Sequence, residues 1–289
     1  MNFRDDSLTF IVLARNHQSF IHECLLSLDC SLRASSEIVF IDLGSTDSTV
    51  DFARSFFSQF DRKFRVIELK GERLTSTFGL QQILPSVDTE WVGIISGDDV
   101  ITGNYLAVLE KAISKRARNA VFNFVLQMTD TNLIPLRQAK PRWTRSRFLN
   151  TLWMCFENPG KSPGSILPVQ QIRNSKFMNI DPYCLIEDYP LWLCLNGLVT
   201  FKKIGDGEVL HRQHSNSLSK SRFNNEFAWS IGYCLGLAES STQSIIKRML
   251  LRLGKSRWMK QVDPSMRHVV LEGVACGLQF DWSINAKNS

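Results

Sequence analysis

The adjacent carboxylates Asp98 and Asp99 follow the apolar run Trp91–Ile95 and the small, flexible pair Ser96-Gly97. Two carboxylates at a strand end suit a hard divalent cation, which takes few protein oxygens and fills its other positions with phosphate and water. An ion held there would neutralise a diphosphate leaving group. Gly97-Asp98-Asp99 is also good turn chemistry, so its meaning rests on its surroundings. Asp42 ends another apolar run just before Gly44, where a carboxylate can accept from a base or ribose, or simply cap a turn. Glu187-Asp188 precedes the apolar stretch Tyr189–Leu195. Charges in such a setting are costly unless a helix N-terminus stabilises them or they have a task such as general-base catalysis on a hydroxyl. His211-Arg212-Gln213-His214 follows the strand-like Glu208–Leu210. A histidine beside an arginine after a strand end suits a metal–diphosphate site, whereas a lone histidine is more often a packed or surface residue.

These residues need elements to hold them. Leu8–Leu13, Glu37–Ile41, Val66–Leu69 and Trp91–Ile95 read as short buried strands. Between them, apolar stripes at 20, 21, 24, 25 and 28, at 50, 53, 56, 57 and 60, and over Phe78–Leu84 predict helices. Strand–helix alternation implies an α/β fold, a Rossmann-like, mostly parallel sheet with helices on both faces. Such sheets bind ligands beyond the carboxyl ends of their strands. That rule gathers Ala14–Asn16, Asp42–Asp47 and Ser96–Asp99 at one crevice. Further on, Asn104–Lys115 and Ile186–Leu195 read as helices, and Ala120–Met128 and Ser165–Val169 as extended. Residues 137–147, with Arg137, Lys140, Arg142, Arg145 and Arg147, read as a basic irregular loop. After Leu218 the pattern turns helical, giving a unit of 1–220 and a helical C-terminal appendage of 221–289.

Bulk properties narrow the classes. A chain of 289 residues with 44% hydrophobic and 21% charged residues can bury a full core, which excludes a disordered tail protein. The net charge of +6 suits anionic ligands or an anionic membrane face without arguing for nucleic acid. Seven cysteines with no C-x-x-C pair point to a reducing, cytoplasmic compartment. The charged start Met1–Asp6 is not followed by the apolar h-region of a signal peptide, and no stretch reaches the roughly 18 apolar residues that span a bilayer. A cytoplasmic or peripheral protein is expected.

Taken in order, the clusters resemble glycosyltransferase family 2. Ile11–Asn16 is similar to that family's opening strand and nucleotide-contacting loop, Ile38–Thr49 to its second-strand signature, and Glu90–Asp99 to the strand leading into the D-x-D metal motif. Ile186–Leu193 resembles the acceptor-side "ED" element and His211–Ser217 the late "R-x-H" element. The resemblance implies a GT-A fold and inverting sugar transfer from a nucleotide-diphosphate sugar, with UDP expected, to an acceptor hydroxyl. It implies that Ala14, Arg15 and Asp42 line the nucleotide pocket, with Gly97 and Arg212 in the nucleotide-sugar site. Asp98 would ligate Mn²⁺ or Mg²⁺ with His214 near the metal or diphosphate. Asp188 would be the base, positioned by Glu187. The chain departs from the family at Leu13 (usually proline), Leu43 (often aspartate), Ser96 (the first D of D-x-D), and Thr75-Ser76-Thr77, which lacks a frequent basic residue. Ser96 leaves Asp98 as the stronger metal carboxylate.

Outside the match, Ser244–Lys260 carries six basic residues and no acidic one, interleaved with apolar positions. It reads either as an amphipathic helix for an anionic membrane or as a helix packed on the core. With a glycan or lipid-linked acceptor, the whole would serve bacterial surface polysaccharide or lipid-linked glycan assembly. Two other classes remain. A nucleotidyltransferase needs a glycine-rich phosphate loop after the first strand, and Leu13–Gln18 contains no glycine. A degenerate transferase acting as a binding or scaffolding subunit draws its support from Ser96.

Overall fold

Alternate residues of the first strand enter different cores. In the computed structural model, which describes residues 7–59, 62–113, 119–215, 225–241, 259 and 264–282, β1 (Leu8–Ala14) is buried along its whole length. Leu8, Phe10 and Val12 join a cluster with Ile21, Cys24, Leu25, Phe56 and Phe57, while Ile11 and Leu13 join a second cluster with Leu80, Ile83 and Trp192. A strand with apolar residues on both sides must be covered on both faces, and its period of two sorts the residues. Helices α1 (Ile21–Ser31) and α2 (Thr49–Phe57) lie in the first cluster, and α3 (Ser76–Ile83) in the second.

Strands β2 (Glu37–Asp42), β3 (Phe64–Glu68) and β4 (Trp91–Ser96) continue the sheet in parallel, with β1 between β2 and β4. The remaining strands are β5 (Val100–Ile101), β6 (Ala120–Thr129), β7 (Pro135–Ala139), β8 (Ser165–Pro168) and β9 (Thr200–Arg212). Among the described residues they form one nine-stranded sheet in the order β3-β2-β1-β4-β8-β6-β9-β5, with β7 on β6. Strands β1 to β4, β6 and β9 run one way and β5, β7 and β8 the other. The sheet is therefore mostly parallel, and the α/β architecture read from sequence is the one present. Helix α4 (Tyr105–Ile113) follows β5.

Part of the expected basic loop is structured. Pro135–Ala139 pairs with β6 as an exposed edge strand, Met128 opposite Arg137. Its residues are mostly exposed, so no alternation marks it, and Pro135 occupies the first position of the strand, where proline is tolerated. Helix α5 (Arg147–Phe156) then starts inside the expected loop, capped where Ser146 Oγ accepts from Leu149 N. The basic segment Ser244–Lys260 lies outside the described residues apart from Met259.

After α6 (Val169–Arg173) comes α7 (Asp188–Leu195), whose third residue, Pro190, sits in the first turn where its missing N–H costs nothing. Helix α8 (Asn225–Ser240) packs behind the segment leading into α7: Asp181 N donates to Tyr233 Oη at 3.0 Å and Leu185 N to Ser230 Oγ at 2.9 Å. Helix α9 (Arg267–Leu278) crosses α8 at backbone contact. A Cβ on Gly232 would stand 2.0 Å from Val270 O, and one on Gly273 2.2 Å from Trp229 O. Gly232→Ala is expected to force the helices apart and cost about 1–3 kcal/mol. A melting temperature equal to that of the parent would show that the helices do not meet this closely.

Candidate active site

Strand register brings three loops to one edge. Ala14 is opposite Asp42, and Leu13 is opposite Ser96. Beyond β1, buried Ala14 is followed by exposed Arg15 and then Asn16, which takes the left-handed conformation (φ 56°) that asparagine tolerates. The β1 and β2 loops are laced together. Asn16 Oδ1 accepts from Thr46 N at 2.8 Å, Asn16 N donates to Ser45 Oγ at 2.9 Å, and His17 N to Thr49 Oγ1 at 2.9 Å. Gln18 N donates to Asp47 Oδ2 and Gln18 Oε1 accepts from Ser48 N, between the same loops. Asp42 is buried with its carboxylate folded over its own turn, accepting from Gly44 N and Ser45 N, both at 3.0 Å.

The carboxylates after β4 diverge. Asp99, fully buried, turns toward β9: His211 Nδ1 lies 3.0 Å from Asp99 Oδ1, and Arg212 N donates to the same oxygen at 2.9 Å. Burial would lower the His211 pKa, but Asp99 outweighs it and raises the group above its ordinary value. Asp99 thus fixes the end of β9, which positions His214. Asp98 turns the other way, and its Oδ2 is 2.8 Å from His214 Nε2. Its Oδ1 is 4.0 Å from His17 Nδ1, and both of these atoms are buried without a hydrogen-bond partner. Gly97 permits the approach, since a Cβ there would meet Ala14 Cβ at 3.0 Å and His17 Nδ1 at 3.1 Å.

One ligand atom from each of His17, Asp98 and His214 lies within 4.8 Å of the others. Burial alone would raise the Asp98 carboxyl, but the hydrogen bond with His214 and the proximity of His17 hold it well below the usual carboxylate range. Burial keeps His17 below the ordinary histidine value against the pull of Asp98, which favours the neutral, ligating imidazole. An ionised carboxylate with an orphaned buried oxygen, facing imidazole nitrogens, fits a divalent cation.

Arg212 joins this corner from the end of β9. Its buried guanidinium sits 4.6 Å over the Phe20 ring and pairs with Glu23 of α1. Phe20 also packs at 4.9 Å against the His214 ring, so Arg212 braces the wall behind His214.

Glu187 and Asp188 are delivered by a segment held from two sides. Thr75 Oγ1 donates to Pro182 O and Thr77 Oγ1 to Cys184 O, while α8 holds Asp181 and Leu185. Glu187 Oε1 accepts from Ser162 Oγ at 2.7 Å. Ser162 precedes β8, and Gly164 N donates to Ile94 O at 2.7 Å, so the acidic pair stands beside the end of β4 from which Asp98 emerges. Burial and the neighbouring Asp188 raise the Glu187 pKa. Burial also raises Asp188, against the opposing charge of Lys161 and a hydrogen bond from Asn158. The charge of Lys161 acts on His211 as well, which ties the two clusters together electrostatically.

The family model for Glycosyl transferase family 2 matches residues 9–167, more than half of the chain. The chain belongs to glycosyltransferase family 2. It is 28% identical over 121 residues to "Glycosyltransferase GlyA" of Streptococcus pneumoniae, covering 42% of this chain and 17% of that protein. It is 22% identical over 125 residues to "Putative glycosyltransferase EpsH" of Bacillus subtilis, covering 43% of this chain and 36% of that one. The chain thus spans well under half the length of either relative.

Similar solved structures include S. aureus TarS 1-349 in complex with UDP-GlcNAc, with a TM-score of 0.61 at 13% identity over 94% of this chain and 88% of that one. A mannosyltransferase from Pyrobaculum calidifontis in complex with GDP-Man and Mn²⁺ gives 0.61 at 15% identity over 96% and 76%. At these identities the likeness establishes the GT-A fold. In this family 2 chain, Ala14, Arg15, Asp42, Gly97 and Asp98 lie at adjoining strand ends, with His214 against Asp98 and Glu187-Asp188 beside them. His17 and Ser162 carried no role in the sequence, and Thr75 and Thr77 stood out there only as the place of a missing basic residue. The one signal for His17 was that three of the five histidines, at 17, 211 and 214, fall at or just past strand ends.

Proposed function

We propose that this chain transfers a sugar from a nucleotide-diphosphate donor, a UDP-sugar, to an acceptor hydroxyl with inversion and with the help of a divalent cation. The observation that carries the reading is the orphaned, buried Asp98 Oδ1 beside His214 and His17, with the acidic pair at the start of α7 held by Ser162. In this reading Ala14, Arg15 and Asp42 face the nucleoside, with Gly97 and Arg212 at the rest of the donor site. Asp98 and His214 hold Mn²⁺ or Mg²⁺. When bound, the ion supplies charge stabilisation to the departing diphosphate. Asp188 takes the acceptor proton as the oxygen attacks the anomeric carbon from the face opposite the diphosphate. A carboxylate whose pKa is raised is a better proton acceptor than one in water, provided it is ionised. Glu187, fixed by Ser162, positions Asp188, whose basicity burial keeps high. Lys161 limits that rise.

A glycan or lipid-linked acceptor, a role in bacterial surface polysaccharide assembly, and a cytoplasmic or membrane-peripheral location complete the proposal, with residues 221–289 as a helical appendage to a catalytic unit of 1–220. Among the described residues, no helix is long and apolar enough to cross a membrane. The complexes of the neighbours, UDP-GlcNAc in one and GDP-Man with Mn²⁺ in the other, support the donor class.

The test is the rate of UDP-sugar hydrolysis or transfer with and without Mn²⁺ across pH. Protonated Asp188 cannot accept a proton, so activity should rise with pH through the raised ionisation of the acidic pair. The acid limb of log kcat/KM should therefore lie above the ordinary carboxylate pKa of about 4. A profile flat down to pH 5 would remove this pair from proton transfer, and failure to bind any nucleotide with Mn²⁺ would remove the donor reading.

A further inference from the structure

We propose that His17 is a third ligand of the cation held by Asp98 and His214, making a centre of two histidines and one carboxylate that prefers Mn²⁺ and similar first-row cations to Mg²⁺. The inference rests on the metal reading above and adds to it both a residue and a selectivity.

Three observations support it. First, Asp98 Oδ1 and His17 Nδ1 are each buried without a hydrogen-bond partner, yet face each other at 4.0 Å. That separation is too long for a hydrogen bond and about twice the roughly 2.0–2.2 Å bond of a divalent first-row cation to nitrogen or oxygen. Two orphaned polar atoms at this spacing are explained together by one ion between them, with a ring nitrogen of His214 completing the set.

Second, His17 is held by its backbone. Its N–H donates to Thr49 Oγ1 at 2.9 Å, and its carbonyl accepts from Phe20 N and Ile21 N, both at 2.8 Å, at the start of α1. The ring is thereby presented to Asp98 from a fixed loop, and Gly97 leaves the space it occupies. Third, the partners come from three strand ends, β1, β4 and β9. Their spacing is therefore set by the sheet and does not depend on a flexible loop.

The selectivity follows from donor chemistry. Mg²⁺ strongly prefers oxygen ligands and gives up water reluctantly, whereas imidazole nitrogens suit Mn²⁺, Fe²⁺, Co²⁺ and Zn²⁺. Two nitrogens in a set of three should penalise Mg²⁺.

The experiment is calorimetric titration of Mn²⁺ and of Mg²⁺ into the full chain without nucleotide, repeated for His17→Ala, His17→Asp and Asp98→Ala. The parent should bind Mn²⁺ and prefer it to Mg²⁺. Loss of a ligand should cost at least the 10–100-fold that loss of a ligand's outer hydrogen-bond partner does, so His17→Ala should weaken Mn²⁺ by tenfold or more. His17→Asp, which exchanges nitrogen for oxygen, should retain binding and shift the preference toward Mg²⁺. If His17→Ala binds Mn²⁺ like the parent while Asp98→Ala does not, His17 is no ligand and the site of Asp98 and His214 stands. If the parent binds neither ion, with or without UDP, the metal reading itself falls. Should His17→Ala fail to fold, His17→Asp decides, and an unshifted Mn²⁺ to Mg²⁺ preference overturns the proposal.

Discussion

Asp188→Asn is expected to reduce sugar transfer by about 10²–10⁴-fold, the usual contribution of a positioned general base, while donor and metal affinity change little. Asparagine has nearly the shape of aspartate but cannot accept the acceptor proton. It also removes a negative charge beside Glu187, one of the causes of that residue's raised pKa. The folded state should therefore melt no lower than the parent, which separates lost chemistry from lost structure. Full turnover by a folded Asp188→Asn chain would take this residue out of the mechanism. A residual rate whose acid limb moves down would instead show Glu187, relieved of like-charge repulsion, serving as a poorer base. Ser162→Ala provides an intermediate case: it removes the hydrogen bond to Glu187 Oε1 and should lower kcat far less than the loss of Asp188 does.

Much of this arrangement was legible because local patterns and strand ends carry it. The mostly apolar β1 and β2, separated by an amphipathic helix, required a parallel sheet covered on both faces, and that fold alone aligns Ala14, Asp42 and Ser96. The residues that escaped are those whose role depends on pairings between distant segments. His17 has no metal-ligand spacing to any neighbour in sequence, and it meets Asp98 only because β1 lies beside β4. Thr75 and Thr77 looked like a missing basic motif, yet their hydroxyls anchor the segment that carries Glu187-Asp188. Arg212, expected in the nucleotide-sugar site, also stacks on Phe20 and pairs with Glu23, a link between β9 and α1 that no local pattern shows. Strand β7 was hidden for a related reason, because an exposed edge strand has no buried face to impose alternation.

Asp98→Asn should have the second large effect, and it tests a different part of the site. The amide preserves the size of the side chain and can still hydrogen-bond His214, so the β4 turn should hold. What it loses is the negative charge that ligates a cation and that His214 and His17 now keep ionised. A metal stabilising a departing diphosphate is worth several kcal/mol, and each ~1.4 kcal/mol is tenfold in rate. Turnover should therefore fall by roughly 10²–10³-fold, with donor binding weakened and no longer responsive to Mn²⁺. Asp99→Asn makes the contrast. Asp99 faces inward to His211 and the Arg212 backbone, so its loss should lower the melting temperature more than it alters the response to metal. If Asp98→Asn keeps a parental Mn²⁺ dependence while Asp99→Asn loses it, the two carboxylates have been assigned the wrong way round. In that case the orphaned oxygen of Asp98 would need an occupant other than a cation.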